Sequence, residues 1–173
     1  FARWNKGRLN SYLIEITATV LAATDPKTGK PVVDIILDRA GQKGTGKWSA
    51  IEAQQLGIPA TAIEAAVAAR VLSSLKDERV AAEKVYGGVQ AGVLSANKDA
   101  VLADLELALF AGKIAAYAQG FAVMAAASKE FGWNLPLPTI AKIWRAGCII
   151  RSQFLDAITG AFTKTPDAAN LIV

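Results

Sequence analysis

Apolar residues recur every three or four positions along most of this chain, which is the spacing of one face of an α-helix. The first such segment runs through Leu9, Leu13 and Ile16. It predicts a helix over about residues 6–23. The longest segment predicts one helix over about residues 98–131, which at 1.5 Å per residue would be about 50 Å long. No segment offers a convincing pair of strands, so the pattern predicts an all-α, multi-helix domain built around one long central helix.

Capping and breaking residues divide the remainder into further helices. A helix predicted from Trp48 ends at Gly57, since glycine readily adopts the left-handed conformation that follows a helix. Thr61, with Glu64 three residues later, predicts a capping box at the start of the next helix. Residues 32–37 are ambiguous between strand and helix, and helix is favoured. The other predictions are a helix over 61–86 with a possible break at 73–74, a loop over 87–96, a helix opened by Pro136 and Pro138 that runs through Trp144, and a last helix carrying Ile150, Phe154 and Ile158.

Composition describes one folded domain with a mild preference for anions. The chain has 173 residues, of which 53% are hydrophobic and 20% charged, which excludes a disordered segment. The net charge is +4, but there is no run of five like charges, so we expect no nucleic-acid partner. The longest uncharged stretch, residues 114–128, is shorter than the ~20 residues of a membrane span. It predicts a buried helix and no membrane partner.

Two absences narrow the chemistry. The chain has no histidine, which removes the commonest metal ligand and the commonest acid or base at neutral pH. Cys148 is the single cysteine, which excludes an internal disulfide and a cysteine zinc site, so we expect no metal. One unpaired cysteine fits a reducing compartment, and the expected location is cytoplasmic. The chain opens at Phe1 and ends on the apolar residues 171–173, so we expect both ends to lie within a longer polypeptide.

The densest polar motif is the segment GQKGTGK at residues 41–47, called here the glycine loop. Glycines let backbone N–H groups approach a ligand, and the helix that follows adds a partial positive charge. Lys43 would supply a point charge, Thr45 a hydroxyl donor and Lys47 a charge at the rim, which favours a phosphate or carboxylate site. A nucleotide P-loop needs Ser or Thr where Trp48 stands, and it needs a parallel sheet. A loop that only leads into a helix remains the alternative.

Arg70 is the second anion-seeking residue. Helical spacing places it on one face with Val67 and Val71. An arginine on an apolar stripe needs an anion, because an unpaired buried guanidinium is costly. Its partner is either a carboxylate, for example Asp77, or a bound phosphate, and the residues favour neither.

Other conspicuous residues receive structural interpretations. Cys148 has apolar neighbours and no base to activate it, so it is interpreted as a small buried hydrophobe. Residues 76–79, with both charge signs, are interpreted as a solvated helix face with local ion pairs. Arg145 and Arg151 are assigned to structural pairs, and Trp4, Trp133 and Trp144 to packing.

Several blocks of the chain together resemble the C-terminal helical domain of the 6-phosphogluconate dehydrogenase family. The resemblance runs nearly end to end, and several of its blocks are long and unusual. The blocks are WNKG at 4–7, LIEIT at 13–17, AGQKGTGKW at 40–48, LSSLKDER at 72–79, YAQGF at 117–121 and WRAGCIIRS at 144–152.

The resemblance implies an oxidoreductase that decarboxylates 6-phosphogluconate to ribulose 5-phosphate, usually with NADP, in the pentose phosphate pathway. It implies that Lys43, Thr45 and Arg70 hold the substrate phosphate. Residues 1–173 would form an all-helical substrate-binding and dimerisation domain of a homodimer. The family's catalytic lysine and glutamate, and the N-terminal Rossmann domain that mainly binds NADP, would precede this segment. A tail whose Arg and His complete the partner subunit's phosphate site would follow it.

Two expectations follow for the chain by itself. It would hold no catalytic residue, and we expect it to be inactive alone. The alternative function is a non-catalytic helical oligomerisation module. Gly112, Ala116 and Gly120 on the long helix support that alternative, because small residues four apart let another helix approach closely.

Overall fold

The computed structural model describes residues 1–88, 97–168 and 170–172. Within these residues all regular structure is helical, apart from two isolated bridges, so the predicted all-α class is confirmed. The long central helix is also confirmed, with the predicted bounds. A 3-10 turn at Trp4–Lys6 precedes α1 Tyr12–Ala22, α2 Val32–Ile35, α3 Thr45–Gln55, α4 Thr61–Ser74, α5 Lys76–Tyr86, α6 Lys98–Phe131, α7 Leu137–Ile143 and α8 Phe154–Lys164.

The chain divides into two compact units, and the first comprises Phe1–Ile36 and Phe121–Val173. Its core forms where α8 packs on α7. Phe121 is 1% exposed, and its ring lies 5.3 Å from that of Trp144 and 5.2 Å from that of Phe162. α8 contributes a regular apolar stripe because its buried residues recur at helical spacing. The buried residues of this stripe are Leu155, Ile158, Thr159 and Phe162.

The second unit, Leu37–Gly120, carries the glycine loop. Here α3 packs on α4, and alanines rather than large side chains fill the closest contacts. Ala53, Ala60 and Ala118 are all 0% exposed. Small residues at the contact allow the backbones of neighbouring helices to lie close together.

The predicted capping box at the start of α4 is wrong. The Thr61 side chain does not cap the helix, and Glu64 instead accepts a hydrogen bond from Gln54 Nε2 at 2.6 Å. The side chain of Gln119 on α6 takes over the capping role. Its Oε1 accepts from the Ala62 N–H at 2.9 Å, and its Nε2 donates to Thr61 Oγ1 at 3.1 Å. The N-terminal end of α4 is therefore capped by a side chain 57 residues away, whereas the local sequence pattern predicted a cap from Thr61 and Glu64.

Other helices begin or end at residues that differ from the predicted bounds. α1 begins at Tyr12 rather than near residue 6, because Ser11 Oγ accepts from the Ile14 N–H at 3.4 Å. The break inside the predicted helix 61–86 falls at Leu75, beside the predicted site. α8 begins at Phe154, so Ile150 lies outside it. Residues 32–37 contain the short helix α2, and most of the predicted loop 87–96 lies outside the described residues.

The long helix α6 is far less buried than its sequence predicts. By length and composition it could cross a membrane, with a window of mean hydropathy 1.4, and only 11% of that window is buried. Within the predicted stretch 114–128, Ala118 and Phe121 are buried and most other side chains are half-buried, so the prediction of a buried helix holds only in part. Leu105, Leu107 and Leu109 are 51%, 52% and 40% exposed. One such helix is weak evidence for a membrane span, because the core helix of a larger protein has the same composition.

The ammonium group of Lys113 on α6 is buried, which is unfavourable for a charged group. Its Nζ is buried and has no hydrogen-bond partner among the described residues. Burial lowers the pKa of this ammonium from its ordinary value of 10.5, because desolvation penalises the charged form. Lys113 therefore lowers the free energy of unfolding, fully at pH values below its lowered pKa and no longer above pH 10.5.

We expect the substitution Lys113→Met to stabilise the 173-residue chain at pH 7. Methionine keeps the length and removes the unpaired charge, so the free energy of unfolding should rise by about 1 kcal/mol. Urea unfolding at pH 7 and pH 10 measures it, and the gain should shrink at the higher pH. Lys129→Met, at an exposed position of the same helix, is the control. A Lys113→Met chain that is less stable than the parent would show that the ammonium has a partner.

Candidate functional site

The glycine loop ends in a helix start that is open to an anion. Gly44 precedes α3 with φ +108°, a conformation that side chains rarely adopt. No side chain caps α3, and its first backbone bond runs from the Trp48 N–H to the Gly44 carbonyl at 2.9 Å. The N–H groups of Thr45, Gly46 and Lys47 are therefore left without a helical partner. They point from the positive end of the helix dipole, which favours a bound anion.

Gly46 brings this helix start close to α4. A Cβ at Gly46 would lie 3.1 Å from Val67 Cγ2, closer than nearly all real contacts of this kind. An alanine at this position would need the Val67 side chain to shift by a few tenths of an ångström. The close approach places the first turn of α3 against α4, the helix that carries Arg70.

Arg70 reaches back to the glycine loop. Its Nη1 donates to the Gly41 carbonyl at 2.8 Å, across 29 residues of sequence. The side chain is exposed, contrary to the apolar face on which its spacing placed it. It makes no ion pair within the described part of the chain, so the carboxylate interpretation with Asp77 finds no support. One guanidinium nitrogen fixes the loop, and the rest of the fork remains available to a ligand.

The structure links Arg70 to the glycine loop through the Gly41 carbonyl. Among the described residues, Arg70 makes no direct hydrogen bond with Lys43 or Thr45. Lys43 lies two residues after the carbonyl that Arg70 holds, and Thr45 is the first residue of α3. Both side chains are exposed, as is Lys47. Trp48 is 66% exposed and occupies the place where a P-loop needs a hydroxyl. No strand precedes the loop among the described residues, which removes the nucleotide alternative.

Arg79 belongs to this region, although the sequence did not predict it. Residues 76–79 were interpreted as a solvated helix face with local ion pairs, and this is wrong for Arg79. Its side chain instead contacts Asp38, 41 residues earlier, with Nη1 2.9 Å from Oδ2. This hydrogen bond lowers the pKa of Asp38 because it stabilises the carboxylate. Nothing in the local pattern could have paired residues so far apart.

A second polar region lies in the first unit, as a cleft of about 280 Å³. Its arginines are already engaged. Arg145 forms an ion pair with Asp156, and the Arg151 guanidinium lies 3.7 Å from the centre of the Tyr12 ring. Arg151 also donates to the Cys148 carbonyl at 2.9 Å. The structural interpretation of both arginines is confirmed.

Cys148 and the tryptophans follow their interpretations in part. Cys148 is half-buried, and its thiol donates to the Trp144 carbonyl at 2.9 Å, so it is tied to the backbone. Trp4 is 7% exposed and Trp144 packs on Phe121, as predicted. Trp133 packs against Phe131, with ring centres 4.9 Å apart, but it is 58% exposed, so the packing interpretation holds for it only in part.

Comparison with known proteins gives the family. The family model for the 6-phosphogluconate dehydrogenase C-terminal domain matches residues 1–173, the whole chain. The chain belongs to the 6-phosphogluconate dehydrogenase family. The resemblance found in the sequence is thereby confirmed, and the glycine loop, α4 and α5 all lie within the matched C-terminal domain.

Relatives of known function agree with this assignment. An NAD-dependent and an NADP-dependent decarboxylating 6-phosphogluconate dehydrogenase of Bacillus subtilis are 51% and 49% identical over all of this chain. The chain spans 37% of the length of each. A solved structure of the Plasmodium falciparum 6-phosphogluconate dehydrogenase matches with a TM-score of 0.93 and 43% identity, over 99% of this chain and 37% of that one. The family thus includes members named for either nucleotide.

Proposed function

We propose that this chain is the part of a decarboxylating 6-phosphogluconate dehydrogenase that binds the phosphate group of the substrate. The complete enzyme would convert 6-phosphogluconate to ribulose 5-phosphate with NADP. The observation that supports this most is the hydrogen bond from Arg70 to Gly41, which brings an arginine fork to the loop that leads into α3. The name of the Plasmodium falciparum relative, which describes complexes with NADP+ and 6-phosphogluconate, agrees with it.

Each residue at this site would bind the phosphate in its own way. Arg70 would offer the planar donors left free by Gly41, which suit two phosphate oxygens at once. Lys43 would add a mobile point charge and Thr45 a hydroxyl donor. The N–H groups of the first turn of α3 would complete the shell. A dianion held from several sides would fix one end of the sugar chain.

Holding the phosphate end would orient the distant reacting carbon. With the sugar anchored, C3 would face the catalytic lysine and glutamate that the family carries in its preceding segment. Such orientation can lower a barrier by several kcal/mol. NADP, bound mainly by the N-terminal domain, would supply the hydride acceptor. We assign no residue of this chain to proton transfer or to the nucleotide.

The 173-residue chain alone should show no dehydrogenase activity. It would contain a substrate handle without the acid, base or nucleotide site. Absorbance at 340 nm with 6-phosphogluconate and either NADP or NAD measures this, with the complete Bacillus subtilis NADP-dependent enzyme as the positive control. Reduction of either nucleotide by the purified chain, at a rate above that of a Lys43→Ala, Arg70→Ala chain, would contradict the proposal.

An exchange of segments tests the proposal directly. In the Bacillus subtilis NADP-dependent enzyme, this chain would replace the matching 173 residues, which are 49% identical. We call this protein the exchanged enzyme. We expect it to oxidise 6-phosphogluconate with a KM near that of the host enzyme. A folded exchanged enzyme that binds NADP but not 6-phosphogluconate would contradict the proposed role.

A helical oligomerisation module is the second candidate function, and the exposed apolar face of α6 favours it. Leu105 and Leu109, which are one turn apart on the same side of α6, would then be covered by protein, in a cytoplasmic homodimer without a membrane partner. Analytical ultracentrifugation combined with a titration of 6-phosphogluconate separates the two. A dimer with no affinity for 6-phosphogluconate would favour the module. A chain that binds the sugar phosphate would favour the first proposal, and the two functions can coexist.

A further inference from the structure

Arg79 makes an unusually complete set of hydrogen bonds for a residue on a helix surface. Its Nε donates to the Leu72 carbonyl at 3.2 Å, and its Nη2 donates to the carbonyls of Ser73 at 3.1 Å and Asp38 at 2.8 Å. Its Nη1 donates to Asp38 Oδ2 at 2.9 Å. All three guanidinium nitrogens are therefore engaged, and the side chain is 30% exposed.

These bonds join the end of α4 to a segment without helical structure. Leu72 and Ser73 lie in the last turn of α4, where a cation is favourable. The Leu72 carbonyl accepts from the Leu75 N–H at 3.2 Å as well as from Arg79. Asp38 lies in the coil between α2 and the glycine loop. Arg79 thus caps one helix and, with the same fork, fixes the chain that leads into the candidate site.

The leading segment is held at three successive points. Arg79 holds Asp38, Ser73 Oγ accepts from the Ala40 N–H at 3.1 Å, and Arg70 holds the Gly41 carbonyl. All three anchors come from α4 or from the start of α5. Because residues 38–41 have no helix to hold them, these side chains set the path by which the chain reaches Lys43.

We propose that Arg79 is a positioning residue for the glycine loop: it pins the chain before Lys43 to the end of α4, so that the loop is preformed for the phosphate. This rests on the proposed function of that loop. A lysine at this position keeps the charge, but it cannot reach four acceptors, because its ammonium is a single point. The loop would then sample positions in which Lys43 and the start of α3 no longer converge.

The test uses the exchanged enzyme with Arg79→Lys. We expect the KM for 6-phosphogluconate to rise about tenfold while kcat stays within about twofold, since the loop would bind ground and transition states alike. The KM for NADP should not change. A purely structural role would lower the amount of active enzyme and hence kcat, without raising the KM for one substrate. Lys84→Gln, at an exposed cation of the same helix, is the matched control and should leave every constant unchanged.

A second variant decides the matter if Arg79→Lys does not fold. Asp38→Ala removes the exposed carboxylate and leaves the carbonyl contact, so we expect a rise in the same KM of about threefold. The positioning role would be overturned if both variants kept the parent KM while Arg70→Ala raised it, and the proposed phosphate site would then still stand. If Arg79→Lys does not fold, an unchanged KM in Asp38→Ala alone, beside a raised KM in Arg70→Ala, has the same meaning. An unchanged KM in Arg70→Ala would overturn the proposed function itself, and this inference with it.

Discussion

Replacing Arg70 with alanine should raise the KM of the exchanged enzyme for 6-phosphogluconate by about 30-fold, or about 2 kcal/mol. The substitution would remove a charged fork from the proposed phosphate site, and it also releases the Gly41 carbonyl that Arg70 holds at 2.8 Å. Arg70 is exposed, so the expected loss lies at the low end for a charge-assisted contact. The kcat should change less than the KM, because the phosphate does not react.

Steady-state kinetics with varied 6-phosphogluconate measures this effect. Arg70→Lys should fall between the parent and the alanine variant, because one ammonium can pair with the phosphate or hold Gly41, but not both. Lys84→Ala, at an exposed cation of α5, serves as the control for a lost surface charge. If Arg70→Ala keeps the parent KM, Arg70 neither binds the phosphate nor holds the loop for it, and the proposed function is overturned.

The candidate site could be predicted from the sequence where its signals are local. Lys43 and Thr45 stand among glycines ahead of a helix, and that spacing alone indicates an anion site. Arg70 was noticed because an arginine on an apolar helix face needs a partner. That partner is a backbone carbonyl 29 residues away. It could not be predicted, because every residue has a carbonyl group and the sequence does not show which one lies near Arg70. The pairing of Arg79 with Asp38 could not be predicted either, because the two residues are 41 positions apart and only the fold brings them together.

The fold shows the same division between local and long-range information. The bounds of α6 were correct because a helix of 34 residues carries many repeats of its pattern. The capping box at Thr61 failed because Gln119 competes successfully for the same helix end. The burial of α6 was overestimated because apolar composition does not say which surface covers it. Sequence patterns thus identify elements, while contacts between elements decide their ends and their exposure.

Replacing Phe121 with alanine should lower the free energy of unfolding by about 3–5 kcal/mol, the largest stability effect we expect. The side chain is 1% exposed and packs against the tilted rings of Trp144 and Phe162. Alanine would leave a cavity between α6, α7 and α8 and would remove two aromatic contacts as well. The native state of a domain this size is stable by only about 5–15 kcal/mol, so the variant should approach its unfolding threshold at 37 °C.

Phe131→Ala is the matched control, because it removes the same side chain from the same helix at a position that is 53% exposed. The free energy of unfolding should fall by less than about 1 kcal/mol, since the Phe131 ring is largely exposed in the native state and the substitution removes mainly its contact with Trp133. Urea unfolding followed by circular dichroism measures both variants. Equal losses in the two would mean that the ring cluster around Phe121 does not form the core of this unit. A large loss confined to Phe121 would place that core at the junction of α6 with α7 and α8.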